Sequence, residues 1–208
     1  MIEVRSAFVE NERTRKILDG TVCDDRIALN PIALAPGEMF LRQLKYAEFD
    51  VSELSLSSLM IASLRGPSAW WALPIFTTRQ FFHTGILVRE DSPIAHPEDL
   101  RGRRVGVLEY QQTAAVWIRG ALQHEFGIRD VDLDWFMERR PAASHGGATG
   151  FTPPEGVRLT YVPSESSLAA MLMDRTIDAI LFYPPEVDGV DRRSDGARRR
   201  LRTRTLRD

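Results

Sequence analysis

The stretch Arg104-Val105-Gly106-Val107-Leu108-Glu109-Tyr110-Gln111-Gln112-Thr113-Ala114-Ala115-Val116-Trp117-Ile118-Arg119-Gly120 changes its period halfway along. Residues 104–108 are a short apolar run and read as a strand. Residues 112–126 read as a helix, because Ala114, Ile118, Ala121, Leu122 and Phe126 fall on one stripe at helical spacing. A strand followed at once by a helix is the repeating step of an α/β fold. The same alternation extends both ways. Upstream, Pro97 opens a short helix that ends at Gly102, after a turn at Asp91-Ser92-Pro93. Downstream come a strand at 132–136, a long Gly-, Pro-, Ser- and Ala-rich loop at 140–155, and a strand at 157–162. A helix capped by Ser164 then runs to about residue 174, and a last strand at 178–182 is stopped by Pro184-Pro185.

Toward the N-terminus, residues 2–8 alternate like a strand. A polar loop at 10–13 and a short helix at 14–18 follow, then a strand at 27–34. Pro36-Gly37 breaks the chain before a helix at 38–46. A strand at 50–56 precedes a helix that Ser57 or Ser58 would cap and that runs to Leu64. After a turn at Arg65-Gly66-Pro67, residues 70–76 and 82–88 look extended. The pattern predicts an α/β fold with a mostly parallel sheet. It divides into a first lobe at 1–84 and a second at 85–185. A cleft between two such lobes, faced by loops at the strands' carboxyl ends, is a natural ligand site.

The chain has 208 residues, enough for one large domain or two small lobes. Its 43% hydrophobic and 27% charged content is that of an ordinary soluble globular protein. No run approaches the roughly eighteen apolar residues that a membrane span needs. The first residues lack a basic segment followed by an apolar one, so no secretory signal is expected. The single cysteine, Cys23, excludes an internal disulfide and suits a reducing compartment. These features together predict a cytoplasmic location. The net charge of −2 is uneven: residues 192–208 hold eight arginines and two aspartates. Such a basic tail raises the question of nucleic acid, but it has no aromatics and no periodicity. The expectation is a disordered tail at 186–208, with no nucleic-acid and no membrane partner. Oligomeric state is left open.

Four segments carry a family resemblance: Glu12-Arg13-Thr14-Arg15; residues 48–58 from Glu48 to Ser58; Pro74-Ile75-Phe76-Thr77-Thr78-Arg79 with Phe82-His83; and residues 99–120. Together they resemble the 4,5-dihydroxyphthalate decarboxylase family, over roughly residues 13–185. The Asp99-to-Val107 piece recurs across the wider fold superfamily. The Glu109-to-Gly120 piece and the pairing of Arg79 with His83 are more specific. The resemblance implies a two-lobed, type II periplasmic-binding-protein-like α/β fold. Family members continue further and return to the first lobe. The arginine-rich tail stands in that place here, as after a frameshift or truncation, so the first lobe is expected to be incomplete.

The resemblance also implies cofactor-independent decarboxylation of 4,5-dihydroxyphthalate or a related aromatic dicarboxylate, giving a dihydroxybenzoate such as protocatechuate. A small aromatic carboxylate is then the partner. Arginine suits its carboxylates because the planar fork binds them bidentately. Arg79 and Arg13, both after strand ends, are the candidates, against the alternative of surface salt bridges. Tyr110, Gln111 and Thr113 lie between strand and helix, where backbone N–H groups would face an anion. Capping by Thr113 alone is the plainer alternative. Ser57 and Ser58 hold the equivalent place in the first lobe. Losing carbon dioxide from this ring requires a proton at the carbon bearing the leaving group. His83 is the first candidate acid, because imidazole titrates near neutrality. Glu109, at a strand end, is the second. His145, in the Gly-rich loop, is expected to be exposed.

His83, His96, His124 and His145 are too scattered for a metal signature, and no phosphate loop or nucleophile elbow occurs. No metal and no cofactor are expected. Trp70, Trp71, Trp117 and Trp135 read as core. Two other readings compete with the enzyme: a solute-binding protein of an ABC-type transporter, using the same cleft, and an inactive fragment of the decarboxylase.

Overall fold

The computed structural model describes residues 1–66, 70–181 and 198–200; for 83, 84 and 198–200 it describes the backbone alone. Contacts divide the chain into two compact units. The first holds Met1–Arg79 with Pro141–Phe151, and the second holds Gln80–Arg140 with Thr152–Asp208. The expected boundary near residue 84 had placed 141–151 in the second lobe.

The first unit is a three-stranded parallel sheet with the order β2-β1-β3, formed by β1 (Ile2–Phe8), β2 (Ile27–Ala33) and β3 (Val51–Ser52). The helices are α1 (Arg15–Leu18), α2 (Pro36–Tyr46), α3 (Leu56–Leu64) and α5 (His145–Thr149). Pro36 does not break the chain before α2; it begins the helix, where its missing N–H costs nothing. Ala7, Met39 and Phe49 are its buried core, with Val9, Leu34 and Phe40 packed against them. The strand expected at 50–56 pairs only at Val51–Ser52. α3 starts at Leu56 with Ser55, not Ser57 or Ser58, as its N-cap residue.

The second unit is a six-stranded mixed sheet of order β7-β6-β5-β8-β4-β9. Its strands are β4 (Ile86–Arg89), β5 (Arg104–Val107), β6 (Asp134–Met137), β7 (Arg158–Tyr161), β8 (Ala179–Leu181) and β9 (Arg198–Arg200). The run β7-β6-β5-β8 is parallel, and β4 lies antiparallel to both β8 and β9. Three residues of the tail expected to be disordered thus form an edge strand. The rest of that tail lies outside the described residues.

α4 (Thr113–Phe126) buries Ala114, Ala115, Ile118 and Leu122, the stripe that its spacing predicts. It ends at Gly127, whose φ of 63° is the left-handed conformation that glycine adopts without strain. α6 (Leu168–Met173) is capped by Ser167, three residues later than expected, because Ser167 Oγ accepts from Ala170 N–H. A Cβ on Gly106 would stand 2.5 Å from Leu168 Cδ2 and 2.8 Å from Ile177 Cδ1. The glycine therefore lets this helix approach β5, while Val105 and Val107 point to the sheet's other face. Leu108, Val162, Leu168, Met171, Leu172, Ile177 and Ile180 form one buried cluster.

Of the four tryptophans, only Trp135 is core, at 0% exposure; Trp71 and Trp117 are largely exposed and Trp70 is partly buried. Residues 70–79 carry no helix or strand, and 82–85 form a 3-10 turn, where an extended run was expected. No described helix is long and apolar enough to cross a membrane.

Candidate functional site

Both units gather chemistry-bearing residues where their parallel strands end. In the first unit the loop after β1 is folded by its own polar groups: Asn11 Oδ1 accepts from Arg13 N–H at 2.9 Å. The exposed Arg13 guanidinium reaches back to the Thr77 carbonyl at 3.5 Å. Arg79, two residues further on, lies with its guanidinium 5.9 Å from the centre of the Phe76 ring. The structure thus brings Arg13 and Arg79 to one segment, 76–79. Neither forms an ion pair with an acid among the described residues. Their neighbours behave differently: Arg5, Arg26 and Arg42 are each paired with an acid.

Glu53 stands beside this segment and was missed by the sequence reading. It follows β3, and its Oε1 accepts from Val9 N–H at 2.9 Å. Burial pushes its carboxyl above the usual range, and bonds from the Val9 N–H and the Thr77 side chain pull the other way. Only its place at a strand end could have signalled it.

Ser58 lies in the first turn of α3, fully buried, and its hydroxyl has no hydrogen-bond partner among the described residues. Ser57 Oγ is 3.2 Å from Ser55 Oγ. His145 is not exposed, as expected, but buried. The Gly-rich loop contains α5 because Ser144 Oγ accepts from the Gly146 and Gly147 N–H groups. This sets His145 with Nε2 3.2 Å from the Gly37 carbonyl and its ring edge-on to Phe40. His83 lies in the 3-10 turn of the second unit. Its side chain is outside the described residues.

In the second unit, Glu109, Tyr110, Gln111 and Thr113 lie together between β5 and α4, but their roles differ. Tyr110 is turned into the interior, at 1% exposure. Its hydroxyl donates to Asp130 at 2.8 Å, its ring meets Trp135 edge-on, and Arg119 stacks on it at 3.7 Å. Burial raises its hydroxyl well above the ordinary range, against the pull of Arg119. A side chain so engaged builds the core; the expectation for Tyr110 concerned its backbone N–H, which lies 3.3 Å from Met137 Sδ. Thr113 is the first residue of α4 and not its cap. Gln112 holds that position, with no side-chain capping bond.

Glu109 is completely buried, and Arg139 Nη1 donates to its Oε1 at 2.8 Å. Gln111 Nε2 bonds its other oxygen. Both oxygens of the carboxylate expected to be the second candidate acid are thus engaged by neighbouring side chains. Among the described residues no group of three histidine, cysteine, aspartate or glutamate side chains is placed to hold a metal ion.

No family model matches the chain. It is 36% identical over 182 residues to a protein of Comamonas testosteroni named 4,5-dihydroxyphthalate decarboxylase, covering 86% of this chain and 54% of that one. It is 34% identical over 171 residues to a protein of the same name from Pseudomonas putida, covering 81% of this chain and 66% of the other. The chain therefore spans between about half and just under two thirds of the length of these curated relatives. Among solved structures it is similar to the periplasmic aliphatic sulphonate binding protein SsuA from Escherichia coli. The TM-score is 0.52 at 15% identity, over 89% of this chain and 55% of that one. That likeness shows the fold: α/β, of the periplasmic-binding-protein kind. With this identity over most of its own length, the chain is a homologue of proteins named 4,5-dihydroxyphthalate decarboxylase.

Proposed function

We propose that the chain acts in the cytoplasm as a carboxy-lyase, removing one carboxylate of 4,5-dihydroxyphthalate or a related aromatic dicarboxylate without a cofactor. The products are carbon dioxide and a dihydroxybenzoate such as protocatechuate. The relatives' name supports the reaction. The observation in this chain that carries the reading is the pair Arg13 and Arg79, two guanidinium groups on one segment with no acid partner among the described residues. An aromatic acid with neighbouring carboxylates supplies the missing anions.

In the proposed reaction each carboxylate-bearing carbon has a hydroxyl para to it, which feeds electron density into the ring. A proton arrives at the ring carbon, the bond to the carboxylate breaks, and its electron pair returns to the ring. General acid assistance of this kind is worth about 10²- to 10⁴-fold. His83 remains the proposed donor. Glu53, linked to Arg13 through Thr77, is a described carboxyl whose burial favours the protonated form. Ser57, Ser58, Gln111 and Thr113 are proposed contacts at the two helix starts.

The test is carbon dioxide release from 4,5-dihydroxyphthalate by the purified 208-residue chain, beside the variant His83→Gln. Turnover by the parent, with binding kept and turnover lost in the variant, is the expected result. A second reading, reversible binding of an aromatic acid without turnover, draws support from the fold shared with a sulphonate-binding protein. It predicts that the acid is bound and recovered unchanged.

A further inference from the structure

We propose that Arg139, held from beneath by the buried Glu109 carboxylate, is the group in the second unit that binds a carboxylate of the substrate. The register of the sheet brings the two together. Glu109 follows β5 and Arg139 follows β6, the parallel neighbour. The ladder runs on past both strands, with Glu138 N–H donating to Val107 O at 3.1 Å and Arg139 N–H to Leu108 O at 3.0 Å. A buried carboxylate needs a partner, and Arg139 Nη1 supplies one.

What distinguishes this arginine is how little of it that partner uses. Glu109 is 0% exposed, whereas the Arg139 side chain is 27% exposed. Its Nε and Nη2 donate to no acceptor among the described residues. Arg104 shows the structural alternative in the same sheet. It grips Asp178 through Nε and Nη2, each at 3.0 Å, so its bidentate edge is already filled, and Nη2 also reaches the Arg175 carbonyl. Arg139 is anchored at one edge and open at the other, the disposition that a bidentate carboxylate contact requires. Gln111 fixes the second oxygen of Glu109, so the anchor itself cannot swing.

An independent observation points to the same place. Gln112, the N-cap residue of the fourteen-residue α4, has a buried Nε2 with no acceptor among the described residues. A side-chain donor and an uncapped helix start beside the Glu109 anchor both favour an anion. Glu109 is then a positioning residue and Arg139 the one that touches substrate. The inference rests on the reading of the substrate as an aromatic dicarboxylate.

The experiment is calorimetry on the full chain with phthalate and with benzoate, repeated for Arg139→Lys and Glu109→Gln, with thermal unfolding in parallel. The lysine keeps the charge and loses the fork. Its phthalate Kd should rise on the order of tenfold, and the preference for phthalate over benzoate should collapse. Glu109→Gln, which loosens the anchor, should raise Kd about threefold. A purely structural ion pair would shift the unfolding temperature and leave the phthalate-to-benzoate ratio intact, which overturns the proposal. The double variant E109Q/R139Q, a neutral hydrogen-bonded pair, should show the same loss of preference if R139K fails to fold, and a retained preference overturns the proposal there too. A parent chain that binds phthalate while R139K binds it equally well contradicts the role of Arg139 alone. A parent chain that binds neither acid contradicts the substrate reading with it.

Discussion

The two units place similar residues at the ends of parallel strands, but they hold them differently. In the first, β2 leaves Ile27, Leu29 and Ile32 each more than a third exposed, and the buried core is Ala7, Met39 and Phe49. Its candidate arginines rest on a loop and on residues 70–79, which carry no helix or strand. In the second, β5 is buried at Val105, Gly106 and Val107, and Arg104 at its start and Arg139 after β6 are each held by a carboxylate of low or zero exposure. The same architecture thus gives loosely held cations in one unit and a preorganised one in the other. Preorganised groups bind more tightly because less ordering is left to do on association.

The largest test of that contrast is a pair of core deletions. Trp135 is fully buried, and its indole N–H donates to Asp130 O at 2.8 Å. Trp135→Ala should cost about 3–5 kcal/mol in urea unfolding. Leu29→Ala, on the exposed β2, should stay within about 0.5 kcal/mol. Equal costs would break the comparison.

Next in size is binding. Arg79→Ala should weaken phthalate binding by at least about 1.5 kcal/mol by calorimetry, the loss of a charged hydrogen bond, with the unfolding midpoint unmoved. Unchanged affinity removes Arg79 from the site.

A smaller effect concerns pH. Burial acts to raise the Asp178 carboxyl, but the hydrogen bonds from Arg104 outweigh it and hold it below the usual 3.8. A lowered folded value means stability that is present above the unfolded pKa and lost as pH falls through the folded one, below 3.8. Asp178→Asn should remove about 1 kcal/mol at neutral pH and flatten this acid limb. An acid limb identical to the parent's would contradict the assignment.

Glu53 has the opposite sign. Its raised value means that the folded chain is penalised as pH rises through it. Glu53→Gln should therefore gain up to about 0.5 kcal/mol at pH 7, a gain that disappears in acid. A loss at pH 7 would show that the ionised carboxylate is itself a stabilising group.

Much of the second unit was legible from residues 104–126, because β5 and the stripe of α4 obey one period each. The helix at 145–149 was not. Gly146, Gly147 and Ala148 read as loop, and only the Ser144 cap makes them helical. The strand expected at 50–56 is shorter in the structure: Glu53 N–H still donates to Ala7 O at 3.3 Å, but the paired register with β1 ends at Ser52. Among the proposed site residues, Arg13 and Arg79 could be found by type and position. Arg139 could not, because its significance lies in the β5–β6 register that sets it beside Glu109, a pairing thirty residues apart in sequence. For the same reason Glu109 could be read only as an acid at a strand end, since its contact with Arg139 is not visible in the sequence.

The most direct test of the account is turnover of 4,5-dihydroxyphthalate by the full chain in deuterated water, followed by proton NMR. The account predicts one deuterium in the dihydroxybenzoate, at the ring carbon that lost the carboxylate, with one carbon dioxide released per turnover. Recovery of the dicarboxylate unchanged, after demonstrable binding, would contradict it and make the chain a binding protein.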